Sequence, residues 1–288
     1  MTALIIGANG QDGFYLTKLL KDQGISVVGV SRTGNFLRTD ISQLNQALDL
    51  VRSHNPTYIF HLAANSTTRH DVWQENHEII CTGTLNILEA LKQLGSDAKI
   101  FISGSGLQFK NQGRPISETD PFDPSSQYAV SRIHSTYAAR YYRSLGIKAY
   151  VGYFFNHDSP IRSEKHITKK ITETVKRIAN GSREKMEIGD ISVKKEWGFA
   201  GDIVEGVWTL VQQEDIFEAV IGTGEAHSIA EWLDICFSKI DRKWEEYVTQ
   251  LNNFKAEYKI LVSDPTLIQT LGWKPKLSFE ALADLMLK

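Results

Sequence analysis

The stretch LIIGANGQDGFYLTKLL, residues 4–20, decides the fold of this chain. Its apolar run stops at Gly7, Gly10 and Gly13 follow, and Leu16, Leu19 and Leu20 then recur at helical spacing. Glycines at such a turn let the backbone bend tightly and approach a ligand closely. A helix that starts immediately afterwards offers free N–H groups and a positive dipole end to a pyrophosphate. Spaced glycines alone also mark ordinary turns, so the strand–turn–helix setting is what favours a dinucleotide site. Gly7, Asn9, Gly10, Gln11, Asp12 and Gly13 are therefore expected to border the cofactor.

Working outward, TALII, SVVGV, TYIFHLAA, KIFIS and AYVGYFF read as strands, rich in β-branched and aromatic residues and apolar almost throughout. Between them, residues 12–23, 42–54, 75–94 and 127–145 carry helical periodicity. Strands alternating with helices predict βαβ units, hence an α/β fold with a doubly wound, Rossmann-like parallel sheet. Beyond FFNHDSP the rhythm changes. Helices are expected at 166–180, 202–214, 228–240 and 278–287, with a strand in EAVIGTG. The expected division is a dinucleotide-binding domain over 1–156 and a smaller α/β substrate-binding lobe over 157–288, partly built from segments that return to the first domain.

A hydrophobic fraction of 42% with 23% charged residues suits a soluble globular enzyme or binding protein, and 288 residues suffice for one large domain or a domain plus a lobe. The formal net charge of −2 leaves no basic footprint for nucleic acid. Cys81 and Cys236 form no C-x-x-C pair, which argues against a zinc site or a disulfide framework, and no metal is expected. The opening MTALIIGANG has no basic leader and its apolar run is too short for a membrane span, so a cytoplasmic protein is expected.

The end of the second strand separates two cofactors. An acidic residue there receives a free ribose 2′-hydroxyl, whereas a cation suits a 2′-phosphate. In VVGVSRTGN the place is held by Ser31 and Arg32, which favours NADP(H). Asp40 and Ile41 are expected beside the adenine, and Leu62, Ala63, Ala64 and Ser66, after a later strand, beside the rest of the dinucleotide. Downstream, SSQYAVSRIH sets Tyr128 and Arg132 four residues apart on one helical face. A phenol is a poor acid–base group near neutrality, and a fixed cation beside it favours the phenolate. Such a pair could exchange a proton with a substrate oxygen while a nicotinamide passes the hydride. Isolated, Tyr-x-x-x-Arg is an ordinary helix pair; the glycine motif upstream gives it weight.

On GANGQDGFYLTKLL, PFDPSSQYAVSR, FNHDSP, HITKKIT, KKEWGFAGD and DPTLIQTLGWKPKLSFEAL, the chain resembles the extended short-chain dehydrogenases, and within them the GDP-mannose 4,6-dehydratases, over nearly its whole length. The GxxGQDG opening and the FNH-x-SP element are the specific parts. The resemblance implies NADP as cofactor and a reaction that oxidises C4 of GDP-mannose, eliminates water across C5–C6 and returns the hydride to C6. It implies residue roles too: Arg132, His157 and Arg162 toward the cofactor, Asn156 and Lys170 toward the substrate, and Lys195 and Lys255 near where the family has diphosphate-binding arginines. Singly, each lysine reads as a solvated surface charge. His61, His134 and His166 show no metal spacing and read as structural or surface residues.

The family's catalytic loop resembles S-T-S-E-L-Y-G, and SGSGLQF, residues 103–109, falls on it without insertion. Ser103 and Ser105 match and remain to take over the threonine's contact with the substrate hydroxyl. Gly104 replaces that threonine, Gly106 replaces the glutamate assigned to elimination, and Arg132 replaces the lysine that follows the tyrosine. KIFISGSG thus reads as a strand running into an emptied catalytic loop. Removing the C5 proton needs a base within hydrogen-bond reach, and neither glycine nor the neighbouring Leu107 and Gln108 supplies a carboxylate. Alcohol–ketone exchange at C4 needs only a hydride carrier and a proton donor, with Tyr128, Arg132 and Ser105 as candidates.

The first expectation is accordingly an NADP(H)-dependent oxidoreductase that reduces a 4-keto-(6-deoxy) GDP-sugar at C4. One alternative is a true dehydratase whose carboxylate comes from elsewhere; another is a catalytically silent module that binds a dinucleotide or nucleotide sugar. Between VGVSRTGN and TDISQL the chain is shorter than in the family, where that segment reaches a neighbouring subunit's cofactor site. A homodimer through helices 75–94 and 127–145 is expected instead of a tetramer built that way.

Overall fold

The computed structural model describes residues 1–251 and 253–288. The opening stretch forms β1 (Thr2–Ile6) and α1 (Gln11–Asp22), and β2 (Ser26–Val30), α2 (Leu44–His54) and β3 (Tyr58–His61) continue the alternation. One long helical run follows in three parts: α3 (Trp73–Asn76), a π-helical turn at His77–Thr82, and α4 (Gly83–Gln93). Then come β4 (Lys99–Ser105), α5 (Gln127–Ser144), β5 (Ala149–Phe154), β6 (His157–Asp158) and α6 (Ile167–Ala179). After the short strands β7 (Met186–Ile188), β8 (Lys194–Lys195) and β9 (Gly198–Phe199), α7 (Ala200–Val211) leads to β10 (Glu218–Ile221). The chain closes with β11 (His227–Ser228), α8 (Ile229–Ser238), β12 (Val248–Gln250), β13 (Ile260–Leu261), α9 (Thr266–Thr270) and α10 (Phe279–Leu287). Among the described residues no helix is long and apolar enough to cross a membrane.

Six strands form one sheet in the order β10-β5-β4-β3-β1-β2, with every neighbouring pair parallel. Successive side chains of a strand point to opposite faces, and both faces are apolar here. Leu4, Ile6, Ile59, Ile100 and Ile102 pack with Ala47 and Leu50 of α2, Ile87 and Leu91 of α4, and Ala139 of α5. The other face sets Ala3, Ile5, Phe60, Phe101 and Tyr150 against Leu16 and Leu20 of α1 and Val204 and Val207 of α7. A third cluster joins α6, α8 and α10 around Trp197 and Trp232, whose rings stack at 4.7 Å. The crossover direction reverses between β1 and β3, so a crevice opens beyond the carboxyl ends of the strands at that point.

The edge strand β10 is fixed by charge as well as by its pairing with β5. Glu218 accepts hydrogen bonds from Arg140 Nε at 2.9 Å and Arg140 Nη2 at 2.7 Å, from Tyr153 Oη at 2.5 Å, and from Arg143. Burial alone would raise the pKa of this carboxyl, but these donors hold it down at about 2 against an ordinary 4.5. The associated stability is present above pH 4.5 and is lost as pH falls toward about 2. Glu218→Gln is expected to lower unfolding free energy at neutral pH by on the order of 3 kcal/mol. Denaturant titrations at pH 7 and pH 3 check this: the gap between variant and wild type should shrink at the lower pH.

Candidate active site

Beyond the ends of β1, β2 and β3 lies a cleft of about 620 Å³, lined by Gly7, Asn9, Gly10, Ser31, Arg32, Asp40, Ile41, Leu62, Ala63 and Ala64. Gly7 adopts φ +95°, and a Cβ on it would meet the backbone nitrogen of Ala63 at 2.8 Å, so this turn requires glycine. Gly10 is the N-cap of α1 and supplies no capping side chain, which leaves the first N–H groups of the helix for another acceptor. Arg32 is 66% exposed and pairs with Glu75 of α3. Exposed ion pairs of this kind are weak, so a phosphate can take the guanidinium over. Thr33 and Arg38, which the sequence reading missed, line the same cleft; the second arginine of SRTGNFLR was the available signal. No carboxylate stands directly at the end of β2, and these donors fit a phosphorylated ribose. The short connection packs on its own subunit: Leu37 N donates to Gly29 O at 3.0 Å, and the Phe36 ring covers Gly29.

The side chains of Gln11 and Asp12 are turned away from this cleft, while their backbone N–H groups are among those at the start of α1. Gln11 Nε2 donates to His157 O at 3.2 Å, and its Oε1 accepts from Ser159 Oγ at 3.0 Å. His157 Nε2 lies 2.9 Å from Asp12 Oδ1, and His157 Nδ1 lies 2.7 Å from Phe155 O. Both ring nitrogens face acceptors, so the imidazole carries both protons. Burial alone would lower the His157 pKa, but the Asp12 carboxylate holds it above the usual 6.5. Burial likewise works against ionised Asp12, which His157 and Arg162 nevertheless hold below the ordinary 3.8. Gly13 is buried against the carbonyl of Gly7 and the backbone of Ala8. GQDG and FNHDS therefore clamp each other, fixing the start of α1 against the end of β5.

A second cavity, about 300 Å³, meets the first at Leu62. Ser66, Ser103, Ser105, Tyr128, Arg132, Asn156, His157, Arg162 and Lys195 line it, together with Asp12. The N-cap Ser126 starts α5 by accepting from Ala129 N at 3.1 Å, and Tyr128 follows in the first turn. Arg132, buried one turn later, donates from Nε to Tyr128 Oη at 3.2 Å and from Nη1 to Ser103 Oγ at 2.9 Å and to Ser103 O. Because Nε–H is the donor, the phenol oxygen accepts, and its own proton is left for a substrate. The Ser103 hydroxyl donates to His61 O at 3.1 Å, so it holds Arg132 and has no proton to offer a sugar. Ser105 differs: its Oγ accepts from Leu107 N at 3.2 Å and keeps its proton. His61, pushed down to about 4 by burial and then by the Arg132 charge, is neutral; its Nε2 donates at 3.1 Å to Ile79 O, tying β3 to the π-helical turn.

KIFISGSG is not a strand followed by a glycine loop. β4 runs through to Ser105, with Gly104 paired to Tyr153 and Ser105 to Phe154 of β5. The turn comes at Gly106–Gln108, closed by a capping box in which Ser105 N also donates to Gln108 Oε1 at 2.9 Å. A Cβ on Gly104 would lie 2.7 Å from the Tyr153 ring, and one on Gly106 would lie 2.7 Å from the Phe155 ring. Aromatic rings from β5 (Tyr153) and from the residue just after it (Phe155) thus occupy the room that side chains at these positions need. Among the described residues, the carboxylates lining the cavity are Asp12, Asp158 and Glu257. Asp12 is held by His157, Asp158 accepts from Thr168 Oγ1 at 2.8 Å, and Glu257 accepts from Thr68 Oγ1.

A family model described as GDP-mannose 4,6 dehydratase matches residues 4–286. The chain belongs to this family. GDP-mannose 4,6 dehydratase 1 of Arabidopsis thaliana is 32% identical over 326 aligned positions, covering 99% of this chain and 88% of that protein. UDP-glucose 4-epimerase of Thermus thermophilus, solved in complex with NAD, has 22% identity and a TM-score of 0.85, covering 100% of this chain and 98% of that one. RMD from Pseudomonas aeruginosa, complexed with NADPH, has 20% identity and a TM-score of 0.87 at 100% and 98% coverage. At those identities the two structures speak for the fold alone: a doubly wound α/β sheet. Positions 104 and 106 of this chain are glycines with the Tyr153 and Phe155 rings packed over them.

Two lysines carried over from the family pattern do not reach the cavity. Lys170 donates to Glu187 O at 2.8 Å on the outside of α6, and Lys255 is exposed. Lys195 does reach it, 8% exposed, with its ammonium 4.5 Å from the centre of the Trp197 ring; burial, helped by Arg162 and opposed by Asp158, lowers its pKa. His166, expected to be structural or on the surface, lines the cavity instead, as do Glu257 and Tyr258. No local pattern singled these three out, because α6 and the 253–259 segment are brought to the cavity by the packing of the lobe.

Proposed function

We propose that the protein is an NADP(H)-dependent oxidoreductase of nucleotide-diphosphate sugars that reduces a 4-keto-(6-deoxy) GDP-sugar at C4. The observation that carries this reading is the pairing of the Tyr128 hydroxyl, whose oxygen accepts from Arg132, with a glycine where the resemblance places the family's glutamate. A dinucleotide is supported by the glycine turn at Gly7 and the uncapped start of α1, and its phosphorylated form by Ser31, Arg32, Thr33 and Arg38. Bound there, the nicotinamide would supply the hydride. Tyr128 would give its proton to the C4 oxygen, Ser105 would donate a hydrogen bond to that oxygen, and Arg132 would hold the phenol in place. Lys195 suits the diphosphate, and so does Arg162, expected toward the cofactor but lining the second cavity beside Lys195 and not the cleft beyond β1, β2 and β3. Guanine is favoured through the family, and two buried free thiols, Cys81 and Cys236, suit a reducing cytoplasm. A homodimer through α3, α4 and α5 is supported by exposed Trp73, Val130, Tyr137 and Tyr141.

The names of the relatives favour a second reading, dehydration of GDP-mannose. It needs a carboxylate over the sugar, and Glu257 is the one cavity carboxylate not held by a charged or buried partner. Consumption of NADPH with a 4-keto-6-deoxy-GDP-sugar supports the reductase. Binding of both ligands without turnover on a panel of keto sugars would sink it in favour of a silent binding module. For the cofactor, Arg32→Ala is expected to weaken NADP⁺ about tenfold while leaving NAD⁺ within about twofold, as loss of one charged hydrogen bond implies. Equal losses in a fluorescence titration overturn the 2′-phosphate assignment.

A further inference from the structure

His166 is the residue before α6, four residues beyond Arg162. Its ring lines the 300 Å³ cavity beside Asp158, Arg162 and Lys195. Arg162 Nη2 lies 3.2 Å from His166 Nδ1. A guanidinium has only donors, so Nδ1 must accept, and the ring proton sits on Nε2. That N–H has no partner among the described residues. Open valences surround it: Arg162 Nε and Asp158 Oδ1 are buried without a hydrogen bond, 3.6 Å apart, and the nine-tenths-buried Lys195 ammonium has no hydrogen-bond partner among the described residues. Burial first, then the charges of Arg162, Lys195 and His157, push the imidazole down to about 4 against the opposing pull of Asp158, so it is neutral at working pH.

We propose that His166 is a ligand of the substrate's diphosphate, donating its Nε2–H to a phosphate oxygen between the charges of Arg162 and Lys195. The inference rests on the nucleotide-diphosphate reading and adds to it a neutral donor that the family pattern does not assign. Arg162 and Lys195 meet at this end of the cavity, whereas Arg132 is taken up by Tyr128 and Ser103, where the hydroxyls of Tyr128 and Ser105 serve the reacting carbon; an anion therefore belongs beside His166. A neutral ring fits the place, since a third full charge beside Arg162 and Lys195 would repel both and would cost Nδ1 its bond to Arg162.

The test is calorimetric titration of GDP, and separately of inorganic pyrophosphate, into protein saturated with NADP⁺. His166→Phe, which keeps the ring's bulk and removes the N–H, is expected to weaken both ligands about tenfold. His166→Gln, which can place an N–H near Nε2, should recover most of that loss, a rescue that a purely structural role would not give. Wild type and His166→Phe binding GDP equally well overturns the inference alone. Wild-type protein that binds neither ligand overturns both the inference and the nucleotide-sugar reading beneath it. Recovery of GDP affinity by the glutamine variant, with unchanged melting temperature in both variants, supports it.

Discussion

Tyr128→Phe is expected to lower turnover about a hundred- to ten-thousandfold, the span of a lost general acid, while NADP⁺ binds nearly as before. The phenol oxygen accepts from Arg132 Nε at 3.2 Å, and its only proton faces the cavity. Phenylalanine keeps the ring packed in the same place and removes the hydroxyl, and with it both that proton and the acceptor for Arg132 Nε. The cofactor cleft is built from β1, β2 and β3 and does not include residue 128, so affinity for the dinucleotide should hold. Steady-state kinetics beside a binding titration check both halves. Undiminished turnover in the variant would remove Tyr128 from the chemistry.

Gly106→Glu is expected to destabilise the fold by about 1–3 kcal/mol, in the range of overpacked cores, and to produce no elimination activity. The new Cβ would stand 2.7 Å from the Phe155 ring, and that ring belongs to the segment clamped by Asp12 through His157. The same holds at position 104, where the Tyr153 ring lies 2.7 Å from the site of a Cβ and its hydroxyl is bound to Glu218. Restoring threonine and glutamate together would therefore crowd two anchored rings. Chemical denaturation and the mass of the sugar product report on the two claims separately. A stable variant that releases water would mean that the rings yield easily and that the glycines alone silenced elimination.

The local patterns carried the sheet and brought out most of the residues that line the cleft beyond β1, β2 and β3, because both depend on short-range chemistry. A glycine at φ +95° between strand and helix is a property of neighbouring residues, and so is the four-residue spacing that puts Arg132 on Tyr128. What failed to show were contacts across the chain. Gln11 and Asp12 open the helix of the glycine turn, and their side chains bind residues 157–159, which nothing near the motif announces. The glycines of SGSG looked like a loop; the register with β5 keeps Gly104 in a strand, and the rings of Tyr153 in β5 and of Phe155 just after it occupy the space over the two glycines. Lys170 and Lys255 were carried by alignment to places that the fold leaves outside, while His166 was passed over because a lone histidine has no spacing to read.

Chemistry at C4 without proton removal at C5 follows from a phenol with a free proton and a cavity whose carboxylates are tied or lie at Glu257. The most direct measurement is the mass of the sugar nucleotide after GDP-mannose is incubated with the protein and NADP⁺. The expected result is a product of unchanged mass, or one lighter by two hydrogens; a product lighter by one molecule of water contradicts the reading.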